Sequence, residues 1–241
     1  MQKRLDVYLS ENNTAKSRSL AASLIKQGSV EVNGRICTKA SFAVDENDNI
    51  RIIGEMPKYV GRGGLKLEKA LSHYRLHLDG SVCIDIGAST GGFTDCMLQN
   101  GAVKVYSVDV GTDQLDEKLR NDPRVVSMEK TDIRNCVGSL PAVDFIGIDV
   151  SFISLKLVLP SAYALLKDGG ECVALIKPQF EAGKSHLSKH GIVRDSKVHK
   201  KVCDDISEFA STLGFERGEV ISSPITGGDG NTEYLIYLRR L

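Results

Sequence analysis

Apolar positions follow one rhythm over the first fifty residues and another over the rest of the chain. Within residues 4–12, Leu5, Tyr8 and Leu9 stand at helical spacing. Leu20, Ala21, Leu24 and Ile25 share a face of a second short helix, which Ser17-Arg18-Ser19 can cap and Gly28 can end. Val30-Glu31-Val32, a turn at Asn33-Gly34 and a return through Arg35-Ile36-Cys37 predict a hairpin, Asn-Gly being the strongest two-residue hairpin signal. Residues 49–53 add one more strand before Gly54 and Pro57 interrupt the pattern.

Beyond the glycine turn Gly61-Arg62-Gly63-Gly64, strands and helices alternate. A helix places Leu67, Ala70, Leu71 and Tyr74 toward a core and Lys66 on its first turn. Residues 82–86, 103–109, 124–128, 143–149 and 171–177 read as five apolar, β-branched strands. Residues 113–119, a segment kinked at Pro160 and residues 196–213 read as helices, and residues 216–222 and 232–238 as a terminal strand pair. The pattern predicts an α/β fold: a doubly wound, mostly parallel, Rossmann-like sheet over residues 64–241, behind a small α+β domain at 1–56 and a linker at 57–63.

Ligands of such sheets sit beyond the carboxyl ends of the strands, where Asp85, Asp109, Asp149 and Lys177 all fall. After the first strand, Gly87, Gly91 and Gly92 allow a tight turn into a helix and the approach of a ligand to bare backbone. Neither G-x-G-x-x-G nor a phosphate loop is present, which weakens the pyrophosphate readings. Carboxylates at the strand tips, with Asp109 at the offset of a ribose-binding acid, suit a cationic, phosphate-free ligand such as S-adenosyl-L-methionine. Close packing alone also accounts for the glycines.

Composition narrows the class. Six scattered cysteines without a C-x-x-C pair fit a reducing cytosol and neither a zinc site nor a disulfide framework. No apolar run approaches a membrane span, and the start of the chain is polar, so a cytoplasmic protein without a membrane span is expected. Net charge is zero, yet residues 1–75 hold 13 Lys and Arg against 8 Asp and Glu, and the remainder 18 against 23. A basic front suggests a polyanionic partner, although a normally solvated surface also explains the excess.

Four ionisable side chains fall at one rim: Lys66, Asp149, Lys177 and Glu233. Asp149 and Lys177 end apolar strands and need each other or a ligand, either as an ion pair fixing the sheet edge or as working groups. A lysine beside another cation loses its proton more easily and can serve as a base toward a poor nucleophile such as a ribose 2'-hydroxyl. Residues 178–194 are basic and aperiodic and read as a lid or substrate-contacting loop. His186 and His190 lack a third ligand, and no metal is expected.

The amino-terminal motifs Arg4-Leu5-Asp6, Ser17-Arg18-Ser19, Leu24-Ile25-Lys26-Gln27-Gly28 and Val30-Glu31-Val32-Asn33-Gly34 resemble the small RNA-binding domain named after ribosomal protein S-four. The resemblance implicates Arg4, Lys16, Arg18 and Lys26 in RNA contact, with Arg62 beside the second domain. Asp85-Ile86-Gly87-Ala88-Ser89-Thr90-Gly91-Gly92-Phe93-Thr94-Asp95-Cys96, Asp149-Val150-Ser151-Phe152-Ile153-Ser154, Leu175-Ile176-Lys177-Pro178-Gln179-Phe180-Glu181 and Gly191-Ile192-Val193-Arg194-Asp195 are similar to the TlyA family, whose second domain is similar to the FtsJ methyltransferases. That resemblance spans nearly the whole chain, with one departure at Gly61, where relatives commonly carry serine. It implies an S-adenosyl-L-methionine-dependent ribose 2'-O-methyltransferase acting on ribosomal RNA or ribosomal subunits, and not on DNA. Its Lys-Asp-Lys-Glu tetrad falls on Lys66, Asp149, Lys177 as base, and Glu233. Its cofactor contacts fall on Asp85, Gly87, Ser89, Thr90, Gly91, Gly92, Phe93, Asp109, Asp132 and Asp149. The family's other label, haemolysin, prompts a membrane-active alternative, for which no amphipathic spanning segment is found; a catalytically silent RNA-binding protein is the third reading.

Overall fold

The computed structural model describes residues 2–12, 14–15, 18–26, 28–53, 57–227 and 230–241, without the side chain of Ser19. The expected RNA contact Lys16 and the expected cap Ser17 lie outside the described residues, as do Gly228 and Asp229. The chain forms two compact units, Met1–Pro57 and Lys58–Leu241.

In the first unit, β1 (Lys3–Arg4), α1 (Leu5–Glu11), α2 (Arg18–Lys26), β2 (Val30–Val32), β3 (Arg35–Ile36), β4 (Ala43–Val44) and β5 (Ile50–Ile52) follow in order. Strands β3, β2 and β5 form an antiparallel sheet. Asn33 and Gly34 both take positive φ, 53° and 80°, as the tight turn between directly paired Val32 and Arg35 requires. Leu5, Leu9, Ala21, Leu24, Ile25, Val30 and Val44 close a small core. The pairing of β1 with β4 involves two residues on each strand, too few for any pattern to announce.

The second unit contains α3 (Gly63–Tyr74), β6 (Val82–Ile86), α4 (Gly92–Gln99), β7 (Lys104–Val108), α5 (Glu117–Arg120), β8 (Val125–Met128), β9 (Val143–Ile148), α6 (Leu155–Leu165), β10 (Leu166–Ile176), α7 (Pro178–Glu181), α8 (Ser196–Thr212), β11 (Phe215–Ser222) and β12 (Tyr234–Arg240). One seven-stranded sheet runs β11-β12-β10-β9-β6-β7-β8. From β10 to β8 it is parallel; β12 and β11 join antiparallel at the β10 edge. Alternate strand residues feed two cores, Cys83, Phe145, Val173 and Leu175 meeting Leu67, Phe93 and Leu119 on one face, and Ile84, Ile146, Cys172 and Ala174 meeting Leu159, Val202 and Ile206 on the other. The chain leaves β6 toward β7 in one direction and later reaches β9 in the other, so a crevice opens above the β6–β9 boundary.

Two expected elements differ. Residues 113–119 were expected to be helical, but the helix is confined to Glu117–Arg120 and capped by Asp116. The amides of Asp113 and Gln114 donate instead to the Glu129 carboxylate at 2.8 and 3.0 Å, and Asp113 takes a φ of 52°. Residues 58–62, read as part of a linker, are built into the second unit. Tyr59 is buried where a Cβ on Gly64 would collide with its ring, Val60 donates its amide to Asp95 at 2.9 Å, and Lys58 pairs with Glu68.

Candidate active site

The floor of the crevice is the glycine turn. Gly87 has a φ of 86°, and a Cβ there would lie 2.6 Å from the Asp149 carbonyl oxygen, so the ends of β6 and β9 approach as closely as they do only because the residue is glycine. Gly91, at a φ of 94°, starts α4 in the left-handed region; a side chain would strike Leu119. Phe93 is buried one turn on, against the bare face of Gly147. Ser89 and Thr90 are exposed on the crest of the turn.

Asp85 lies under this turn, fully buried. Its Oδ2 accepts the Thr94 amide at 2.9 Å and the Thr94 hydroxyl at 2.7 Å, and Ser107 Oγ lies 2.7 Å from that hydroxyl. With the Thr94 proton given to the carboxylate, Ser107 donates to Thr94. Oδ1 has no hydrogen-bond partner, and Asp85 contributes to the wall of a cavity of about 350 Å³. Burial dominates its titration and pushes the carboxyl up to about 7, against the two Thr94 hydrogen bonds.

A second cavity of about 360 Å³ shares Gly87, Ser89, Asp149, Ser151 and Phe152 with the first. Asp109 stands in its wall, one oxygen accepting the Ser89 amide and the other the Gly111 amide, both at 2.7 Å. Its carboxylate therefore holds the turn's crest and keeps lone pairs for further donors. Asp132 caps a short turn through the Arg134 amide and is gripped by the Arg134 guanidinium at 2.6 Å, which holds its carboxyl below the usual range. Val110 and Ile133 supply apolar wall.

At the mouth of the first cavity the four tetrad residues meet. Lys177 Nζ is 2.7 Å from Asp149 Oδ1, Lys66 Nζ is 3.3 Å from Asp149 Oδ2, and Lys66 Nζ is 2.8 Å from Glu233 Oε2. Asp149 Oδ1 and Glu233 Oε2 face their ammonium partners away from the hydrogen-bonding direction, so these two contacts act as ion pairs. Lys66, Lys177 and Glu233 are buried, from α3, the end of β10 and the start of β12, and Asp149 follows β9 directly. Two cations alternate with two anions along a single chain of contacts.

Several neighbours carry no periodic signal. Ser151 Oγ accepts from Lys177 Nζ at 2.8 Å. Gln179 Oε1 is buried without a partner in the same cavity wall. Phe152 is 90% exposed with a φ of 64°, and its ring centre lies 5.0 Å from that of Phe180, itself 5.9 Å from Lys177 Nζ. Only the backbone angle and exposure of Phe152 distinguish it, and neither is written in a sequence. Among the described residues no cluster of three His, Cys, Asp or Glu side chains is placed to hold a metal ion.

In the first unit Arg4 and Arg18 converge on Asp6, at 2.9 and 3.0 Å. Asp6 is buried, and the two guanidiniums hold its carboxyl down at about 2, the Arg4 hydrogen bonds contributing most. Lys26 is exposed in the last turn of α2. In the second unit Arg62 is exposed at the start of α3, in the wall of the tetrad cavity.

Residues 59–240 match the model of the FtsJ-like methyltransferases, and residues 3–50 that of the S4 domain. The chain is 38% identical, over 98% of its length and 89% of the relative's, to the 16S/23S rRNA (cytidine-2'-O)-methyltransferase TlyA of Mycobacterium tuberculosis. It is 42% identical to Hemolysin A of Brachyspira hyodysenteriae, over 97% of this chain and 98% of that one. A solved structure from Streptococcus thermophilus that carries a hemolysin label superposes with a TM-score of 0.79 at 45% identity, covering 99% of this chain and 88% of that one. Among the described residues no helix is long and apolar enough to cross a membrane. By its matched domains and its similarity from end to end, the chain belongs to the TlyA family, an S4 domain joined to an FtsJ-like methyltransferase domain.

Proposed function

We propose that this protein methylates a ribose 2'-hydroxyl of ribosomal RNA, in the cytoplasm, with S-adenosyl-L-methionine as donor. The observation that carries this reading is the continuous contact chain Glu233–Lys66–Asp149–Lys177 in the wall of a cavity that is also lined by Asp85, whose buried Oδ1 has no hydrogen-bond partner.

The donor fits the residues present. Asp85 Oδ1 lacks a partner and suits an ammonium; Asp109 keeps lone pairs for a ribose diol; Gly87, Gly91, Gly92, Ser89, Thr90 and Phe93 form the turn that the ligand would rest on. Asp132 would share its carboxylate between Arg134 and the ligand's base. S-adenosyl-L-methionine supplies an electrophilic methyl on a sulfonium. What the protein must add is alignment and removal of one proton from a hydroxyl.

Lys177 Nζ, in its neutral amine form, is the proton acceptor in this reading and becomes the ammonium paired with Asp149 as the hydroxyl loses its proton. Asp149 and Ser151 fix the direction of its nitrogen, and Lys66, held by Glu233, places a second positive charge across Asp149. With two amines and two acids, the cluster passes a proton without leaving an uncompensated charge in a partly buried site. Phe152 and Phe180 form an aromatic lip beside Lys177, suited to stacking on an RNA base. Arg4, Arg18 and Lys26 in the first unit, together with Arg62, are the proposed RNA contacts.

The test is transfer of labelled methyl to free ribosomal RNA, separated subunits and assembled ribosomes. Incorporation at a ribose, abolished in Lys177→Ala with donor binding retained, is expected. Absence of transfer to all three substrates defeats the reading.

A further inference from the structure

The segment that joins the Lys177 strand to α8 is predominantly basic beyond Glu181. Lys184, Lys189, Arg194 and Lys197 are exposed, and among the described residues none has a carboxylate within ion-pair distance. Asp195 is the only acid between residues 184 and 201, and its Oδ1 accepts the Lys197 amide as the cap of α8. Directly after this stretch the pattern reverses: Lys200 and Lys201 are matched one turn on by Asp204 and Asp205, at 2.7 and 2.8 Å. The four cations before them are left for solvent or for a partner.

Their placement is fixed. Asn231, buried and two residues from Glu233, accepts the Val193 amide through Oδ1 at 3.2 Å and donates through Nδ2 to the Gly191 carbonyl at 3.1 Å. His199 Nε2 lies 2.9 Å from the Val193 carbonyl and must donate to it, which leaves Nδ1 to accept from Tyr234 OH at 2.8 Å. Ser188 closes the loop on itself through its carbonyl-bonded amide and its hydroxyl, both to Ile192. At the other end, Glu181 is anchored to Ser154 and to the Leu155 amide. The segment therefore departs from the element after Lys177 and is pinned beside the strand that carries Glu233. It follows the cavity-lining Gln179 and Phe180 in the chain, and Asn231, which pins it, is two residues from the cavity-lining Glu233.

We infer that residues 184–197 form a phosphate-binding rail on the catalytic unit, which grips the RNA backbone flanking the target ribose through Lys184, Lys189, Arg194 and Lys197. This rests on the reading of the tetrad as an RNA-modifying site. Exposed cations without ion-pair partners, on a segment that starts just after the cavity-lining Phe180 and is pinned by the loop before Glu233, bind a polyanion by releasing its condensed counterions. An anionic membrane surface is the poorer match, because Val193 is buried and Leu187 and Ile192 are half-buried, which leaves no apolar face beside the charges to enter a bilayer.

The experiment compares the full chain with the variant Lys184→Ala, Lys189→Ala, Arg194→Ala, Lys197→Ala, and with a second variant carrying arginine at the three lysines. Methyl transfer to the accepted ribosomal RNA substrate is followed against RNA concentration and salt. The alanine variant is expected to raise KM for RNA by about 10-fold or more and to lower the slope of log KM against log salt by about 3, with kcat and donor affinity within twofold. The arginine variant is expected to keep the wild-type KM. An unchanged KM and salt slope, with wild-type transfer intact, overturns the rail, as does loss of binding to phosphatidylglycerol vesicles with RNA binding untouched. If the wild type transfers no methyl group, the reading of the site fails by itself. Filter retention of ribosomal RNA then judges the rail: a reduced salt slope in the alanine variant supports it, and an unchanged one overturns it.

Discussion

Lys177 Nζ stands 2.7 Å from Asp149 Oδ1, each residue following directly on one of the neighbouring parallel strands β10 and β9. An amine held by this ion pair and by a hydrogen bond to the Ser151 hydroxyl has a restricted orientation toward the cavity. Lys177→Ala should lower kcat by about 10²- to 10⁴-fold, the usual worth of a positioned general base, and change donor affinity little. Lys177→Arg should not rescue it, because a guanidinium does not give up its proton. Single-turnover transfer at saturating donor checks both, and an arginine variant with normal turnover removes Lys177 from the base role.

Lys66 and Glu233 make a different prediction, about stability. Glu233 is 3% exposed, and Lys66 is the ammonium that meets it, at 2.8 Å. Lys66→Ala leaves that acid buried beside Asp149 without its cation, a loss on the order of 3 kcal/mol. Pairing Lys66→Met with Glu233→Leu replaces both charges by apolar groups and should recover most of that stability while activity stays absent. Urea unfolding of the two singles and the double gives the coupling; strictly additive losses would count against the pair.

Asp85 sets a pH dependence. Burial raises its carboxyl from 3.8 to about 7, so between those values the folded protein keeps a proton that the unfolded chain has released. Stability contributed by this group is therefore present below pH 4 and is lost as pH rises toward 7. A cationic ligand at Oδ1 favours the ionised form. Donor binding should thus strengthen with rising pH and level off above about 7, with a proton released on binding at pH 6 and none at pH 8. Calorimetry in buffers of different ionisation enthalpy reads that proton. Asp85→Asn should abolish the release, and its persistence in that variant assigns the proton elsewhere.

Asp6 behaves in the opposite sense. Its carboxyl is held near 2 by Arg4 and Arg18, so its contribution is complete above the ordinary value of 3.8 and disappears as pH falls through about 2. The guanidiniums are half-exposed, and screening reduces the gain to about 1 kcal/mol. Hydrogen exchange across residues 5–26 of the full chain should show protection lost between pH 4 and 2, and Asp6→Asn should show the acid-like protection already at pH 7. Identical exchange in the two proteins at pH 7 would argue that the pair only decorates the surface.

The sheet, and the nearness of Asp149 to Lys177, are legible in the sequence because both depend on periodicity and on strand ends. Apolar β-branched runs locate β6, β9 and β10; Asp149 and Lys177 follow the last two directly and Asp85 is the penultimate residue of the first, so all three lie toward the crevice. Lys66 and Glu233 carry a weaker signal, since a lysine on a first helical turn and an acid beside a glycine-rich loop each have many explanations. What escaped is tertiary. Tyr59 looked like linker because its packing partner is the missing side chain of Gly64. Residues 113–115 looked helical because nothing local shows that Glu129 claims their amides. Asn231, two residues from Glu233, has no periodic signal, yet it fixes the basic segment.

Phe152 combines a positive-φ backbone with an exposed ring, two costs that a stacking role toward RNA would offset. A φ of 64° in a residue with a Cβ costs about 1 kcal/mol, and at 90% exposure the side chain returns almost no burial energy. Phe152→Gly should therefore leave the fold as stable as the wild type or up to about 1 kcal/mol more so. Stacking on a base is worth about 1–3 kcal/mol, so the same change should raise KM for RNA roughly 10-fold, and Phe152→Tyr should restore it. Thermal unfolding and transfer kinetics on the three proteins separate the effects. A glycine variant that unfolds several degrees earlier with unchanged kinetics would make Phe152 a packing residue, and the aromatic lip beside Lys177 would lose its role.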